Sequence, residues 1–212
     1  PTGSPTNGSA LKLLDDVVDK SATSAVNTVG KLQAMADAVN HIMLTAGGTN
    51  ASGLTVADLQ ALGFTNVTPD NIVAIRAVIQ ATTPDSAIDQ ASELSNAIGV
   101  AITGIGAALT KISTAAGANI ASGASGVAAL SPFDYTAANV SGVTDSNKVA
   151  INSALDSASV TADKANTMGE VQAIVNAYAA ILNAADSTAG STPITADQFS
   201  AIGVTGVSGS PT

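Results

Sequence analysis

The chain repeats itself, and this limits the folds open to it more than any other feature. Asn27 opens NTVGKLQAMADAVNHI and Asn166 opens NTMGEVQAIVNAYAAI, in which Asn, Thr, Gly, Gln, Ala and Ile return at an offset of 139 residues. A second anchor occurs three times, as LTVADLQALGFTNVT from Leu54, LSPFDYTAANVSGVT from Leu130 and ITADQFSAIGVTGV from Ile194. A third follows it, as NIVAIRAVI from Asn71 and NKVAINSAL from Asn147. A chain made of such periods buries its apolar faces by stacking neighbouring units rather than by collapsing around one large core.

The anchors give each unit an order of helix A, loop, short helix B, turn and helix C. Helix A carries Leu32, Met35, Val39, Ile42, Met43 and Ala46 at helical spacing, and its later copy carries Val171, Ile174, Tyr178, Ile181, Leu182 and Ala185. Helix B has a start signal in Thr55 with Asp58, and in Thr195 with Asp197 or Gln198. Gly63 and Gly203 stand where a helix ends on a left-handed residue, and Asn139 takes that place in the middle copy. For helix C, Thr68 is expected as the cap, with Pro69 in the first turn. The pattern predicts an all-α fold of tandem small three-helix bundles stacked end to end, with little or no β-structure.

The expected units are 32–93, 94–170 and the first half of a third at 171–212, while 1–31 supplies the second half of another. The middle unit is longer, with 36 residues from Leu94 to Leu130 against 22 from Leu32 to Leu54. Its extra length falls at about 98–129, read as a longer helix A and then a Gly/Ser-rich surface excursion. The tetrapeptide GSPT occurs at Gly3–Thr6 and again at Gly209–Thr212, and aligning it on the Thr-Pro turn before helix C makes the two ends complementary halves of one unit. Leu11, Leu14, Val17 and Val18 at one end, and Phe199, Ile202, Val204 and Val207 at the other, are then expected to pack between successive segments, head to tail. Such a contact does not close on itself and builds an open fibre.

Composition narrows the chemistry. Hydrophobic residues make up 46% but aromatics only 2%, so the core must be assembled from many small aliphatic contacts. Seven Lys and Arg against sixteen Asp and Glu, a net charge of −9, cannot form a cationic track for nucleic acid or an anionic membrane. The absence of cysteine excludes disulfides and thiolate metal sites. The most apolar stretch, Ala97–Leu109, is shorter than the roughly twenty residues that span a bilayer, so no transmembrane segment is expected.

The residues that invite catalytic readings lack partners. His41 is the only histidine, it flanks the apolar stripe of helix A, and it reads as a boundary residue rather than a ligand or base. Gly104-Ile105-Gly106 begins like a dinucleotide fingerprint, but Leu109 stands at the third glycine, so packing of small residues explains it better. The run Ser122–Gly126 misses the register of a nucleophile elbow. Asp15, Asp16 and Asp19 form the densest acidic patch, without the alternating ligands of a calcium loop, and read as a solvated helix face. No catalytic, cofactor or metal residue is expected. Sequons at Asn7, Asn50, Asn66 and Asn139 matter only in a glycosylating producer.

Along LTVADLQALGFTNVTPDNIVAIRAVI, and through all three units, the sequence resembles helical tandem repeats of very large bacterial surface and biofilm adhesion proteins. The resemblance implies an extracellular, repetitive, structural role: a stalk or filament segment whose partners are copies of itself. The helix order also looks like the small albumin-binding bundles of bacterial surface proteins, which implies the alternative of a protein-binding module for a host or matrix protein.

Overall fold

The structure, a computed structural model, describes residues 7–46, 48, 53–82, 85–124, 126–185 and 193–209. The paired GSPT segments, apart from Gly209, and the sequon at Asn50 lie outside these residues. Of the described residues 66% are helical and none forms a strand, apart from an isolated bridge between Ala124 and Val127. The α-helices are α1 (Asn7–Lys20), α2 (Thr23–Val26), α3 (Val29–Ala46), α4 (Val56–Ala61), α5 (Ile72–Ala81), α6 (Ala91–Ala118), α7 (Pro132–Ala137), α8 (Lys148–Leu155), α9 (Met168–Ala185) and α10 (Ala196–Ala201).

Local chemistry sets the helix starts. The recurrent Asn-Thr before α3 and α9 caps them: Thr28 Oγ1 accepts from the Lys31 N–H and Thr167 Oγ1 from the Glu170 N–H, both at 3.3 Å. Before α4, α7 and α10 the side chain three residues on accepts the cap residue's own N–H. Asp58 takes that of Thr55 at 2.7 Å, Asp134 that of Ser131 at 2.8 Å and Gln198 that of Thr195 at 2.8 Å. At Thr195 the partner is therefore Gln198 and not Asp197.

The same three helices also stop in the same way. Gly63, Asn139 and Gly203 have φ of +94°, +59° and +88°. Behind them, the N–H groups of Phe64, Val140 and Val204 donate to the carbonyls of Leu59, Tyr135 and Phe199 at 3.0, 2.9 and 2.9 Å, the wide bond of a Schellman end.

Helix C opens after residues 68–71, but with a different cap from the one expected. Asn71 occupies the cap of α5, and Thr68 and Pro69 lie in a turn before it, where the N–H groups of Asn71 and Ile72 both donate to the Thr68 carbonyl. The side chain of Asn71 closes that turn, accepting from the Thr68 N–H at 2.9 Å and donating to the Asn66 carbonyl at 2.9 Å. Asn147 does the same before α8, with the Thr144 N–H at 2.7 Å and the Gly142 carbonyl at 2.8 Å. An Asn side chain carries both an acceptor and donors, so one residue can lock both strands of the turn.

The chain divides into two compact units, 1–103 and 104–212, so the compact bodies are larger than the sequence periods and their boundary falls inside α6. Unit one buries Leu13 and Val17 of α1, Met35, Ala38, Val39, Ile42, Met43 and Ala46 of α3, Leu59 of α4, Ile75 and Ile79 of α5, and Leu94, Ile98 and Ala101 of α6. Unit two buries Ile112, Ala115 and Ala116 of α6, Tyr135 of α7, Ile151 and Leu155 of α8, and Val171, Ile174 and Val175 of α9. Each large side chain so buried stabilises its unit by roughly 1.5–3 kcal/mol. Leu32, read as core from its spacing, is exposed at the start of α3.

Candidate functional site

Several polar side chains among the described residues hold helices and loops together. Asp16 accepts from Lys20 Nζ and from the Ala91 N–H, both at 2.7 Å, and thereby caps α6 from a distance; these two bonds hold its carboxyl below the usual range. Asp156, at the corresponding place just after α8, accepts the N–H groups of Ala121 and Ser122 at 2.6 and 2.9 Å and anchors the Gly/Ser-rich excursion after α6. Part of the acidic patch thus tethers α1 to α6 rather than only facing solvent. Gly104 and Gly106 of α6 also differ from expectation: a side chain at either would meet open space, so tight packing does not explain them.

His41 lies at the boundary, its buried Nδ1 3.1 Å from Asp58 Oδ2, an oxygen that also receives the hydroxyl and N–H of Thr55. Burial raises the Asp58 carboxyl, but Thr55 and His41 outweigh it and hold it below the usual value. Asp134 is likewise lowered by Lys111 and Ser131 against its burial. In unit two, Tyr135 donates to Asn152 Oδ1 at 2.5 Å and Asn152 Nδ2 donates to the Leu130 carbonyl at 2.9 Å, a satisfied buried pair. Burial first, then Asp134 and Asp156, pushes the Tyr135 phenol far up, so it stays neutral. Among the described residues no group of three His, Asp or Glu side chains is placed to hold a metal ion. An open cleft of about 320 Å³ is lined by Lys164, Glu170 and Asp197, but Lys164 donates to the Ser159 carbonyl and Glu170 accepts the N–H groups of Asn166 and Thr167.

What remains is apolar and unevenly covered. Leu59 and Tyr135, the central residues of α4 and α7, are fully buried, whereas Phe199 in α10 is half-buried. Leu54 and Leu130 are buried, but Ile194 is half-buried; Leu62 and Ala138 are buried, but Ile202 is half-buried. Val204 is 42% exposed where Val140 is buried, and Val207 is 45% exposed where Val67 is buried. An open cleft of about 230 Å³ adjoins this surface, lined by Ala150, Ser153, Ala154, Tyr178, Ile202 and Val204. At the other expected contact, Leu11 is 68% exposed and Leu14 and Val18 are half-buried, but Val17 is buried in unit one's own core beside Leu13. Val17 is therefore not available to a neighbouring segment.

The apolar run of α6 extends beyond Ala97–Leu109. As a 28-residue helix, α6 is long and apolar enough to cross a membrane by length and composition, while residues of both its halves lie in the two cores. Comparisons with protein-family models, curated proteins and solved structures return no match to this chain.

Proposed function

We propose that the chain is a non-catalytic structural segment of a secreted bacterial surface protein, a run of small helical bundles that extends as a stalk or filament in adhesion or biofilm. The observation that carries this reading is the threefold recurrence of one short helix with the same start and the same left-handed end at α4, α7 and α10. Catalysis asks for asymmetry around one reacting centre, whereas repetition of a purely structural device suits an extended array. In the finer architecture, helix A closes one bundle and opens the next. Its support is that α6 gives Leu94 and Ile98 to one core and Ile112 and Ala116 to the other. Electron microscopy of the native material, together with protease treatment of intact cells, tests this: thin fibres and surface cleavage are expected, and a protected intracellular protein would overturn it.

A second reading, a module that binds a host or matrix protein, is favoured by one repeated feature. Val73 on α5 and Val149 on α8 occupy the same position and are 55% and 70% exposed. Capture of serum or matrix proteins that is lost on Val73→Ser with Val149→Ser would establish it, and equal capture by the variant would dismiss it.

A further inference from the structure

The burial pattern of the repeats sets one of the three copies apart. In the first copy, Ile75 of α5 is buried in the same core as Leu54, Leu59 and Leu62, and Arg76 Nε donates to the Leu54 carbonyl. In the second, Ile151 of α8 is buried in one core with Leu130, Tyr135 and Ala138, and Asn152 donates to the Leu130 carbonyl, again 22 residues back. A helix of one type, with Asn-x-x-Ala, then an aliphatic residue, then a polar donor, shares the core of the short helix both times and donates to the carbonyl that precedes it. Among the described residues no such helix follows the third short helix, α10, around which Ile194, Phe199 and Ile202 are half-buried and Val204 and Val207 exposed.

One other helix has the covering sequence. Asn7, Ala10, Leu11 and Lys12 of α1 align with Asn71, Ala74, Ile75 and Arg76, and with Asn147, Ala150, Ile151 and Asn152. Leu11 is 68% exposed, although both of its counterparts are fully buried. Leu13 and Val17 are buried in the core of unit one, and the half-buried Leu14 and Val18 pack partly against that same core, so Leu11 is the apolar side chain that α1 turns outward. Asp15 stands where Ile79 and Leu155 are buried, so the outward apolar face of α1 is narrower than that of α5 or α8 and centres on Leu11. Lys12 is bound to Asp89 at 2.6 Å, but an ammonium has three donors and a flexible stem, which leaves N–H groups for a second carbonyl.

We propose that the outward face of α1 in one copy of this chain docks on α10 of another, with Leu11 entering the surface around Ile202 and Val204 and Lys12 reaching the Ile194 carbonyl. The partner surfaces differ, so the contact is heterologous and propagates. The proposal rests on the stacked-bundle reading and names its contact.

The test is sedimentation velocity of the full chain at rising concentration, to roughly 1 mM. The wild type is expected to form a ladder of oligomers. Leu11→Glu and Val204→Glu alter exposed side chains, leave the circular dichroism unchanged, and each alone should stay monomeric. An equimolar mixture of the two should stop at dimers, because only one intact α1 and one intact α10 remain per pair. A monomeric wild type, association by either variant alone, or no dimer in the mixture would overturn the proposal. A separate arm tests the reading beneath it: a chain extended after Thr212 by the sequence of Asn71–Ala81 should slow exchange of the Val204 amide by roughly tenfold or more. If that protection appears without the oligomers, the choice of α1 is wrong and the stacked-bundle reading stands; if neither appears, both fail.

Discussion

The helices α4 and α10 share a capping box, a left-handed end residue and the same wide closing hydrogen bond, yet one is part of a core and the other is not. The difference separates two contributions that usually arrive together. Caps and end turns are decided within about ten residues of chain, so they form wherever the sequence grammar occurs. Burial is decided by residues far away: Leu59 of α4 shares its core with Ile75 and Ile79 of α5, whereas no residue of α10 is buried. The same short helix can thus be well formed and still contribute little to stability.

Truncating the central side chain sharpens this contrast most. Leu59→Ala opens a cavity in a filled core and is expected to cost about 2–5 kcal/mol in urea unfolding of unit one. Phe199→Ala removes a larger ring from a half-covered site and is expected to cost under about 1 kcal/mol in the monomer. Equal losses would mean that α10 is covered after all.

The end residues give the next largest effect, in the opposite order. At Gly63 and Gly203 a non-glycine residue must adopt a left-handed conformation, at about 1–2 kcal/mol. At Gly203 a Cβ would also lie 2.0 Å from Ser157 Oγ, whereas at Gly63 it would meet nothing within 4 Å. Thermal melts should therefore show Gly203→Ala to be the more damaging of the two, although its helix is the less buried. Tyr135→Phe follows, leaving Asn152 Oδ1 without its buried donor at about 1–3 kcal/mol; an unchanged melting temperature would show that water replaces the phenol.

The smallest effect separates the copies by pH. Asp58 and Asp134 are held below the ordinary carboxylate value, so their contribution is complete above that value and is lost as the pH falls through the lowered one. The third box uses Gln198, which does not titrate. On acidification, the amides of Thr55 and Ser131 should shift in NMR spectra and that of Thr195 should not; movement of all three together would indicate general unfolding.

Much of this was legible in the sequence because it is local. Thr55 with Asp58, and the left-handed places of Gly63, Asn139 and Gly203, follow from side-chain size and spacing alone. The cap of α5 was misplaced because Thr68 and Asn71 are both good cap residues, and only the turn through Pro69 decides between them. The register of α1 was hidden for a different reason: Leu11, Leu13, Leu14, Val17 and Val18 form two adjoining stripes, and periodicity cannot say which one faces the unit's own core. The tethers from Asp16 to Ala91 and from Asp156 to Ala121 join residues distant in sequence, so no local pattern announces them. The uneven cover of α10 was legible only by setting its positions beside those of α4 and α7.

Native-state hydrogen exchange of three equivalent amides, those of Phe64, Val140 and Val204, measured on dilute monomer, addresses most directly the separation of local form from burial. All three close the same turn onto the residue five positions earlier. The expected result is slow exchange at Phe64 and Val140 and exchange roughly a hundredfold or more faster at Val204, a gap of about 2.7 kcal/mol in opening free energy. Equal protection at all three amides in the monomer would contradict it, because α10 would then be as firmly held as its buried counterparts without any further helix across its face.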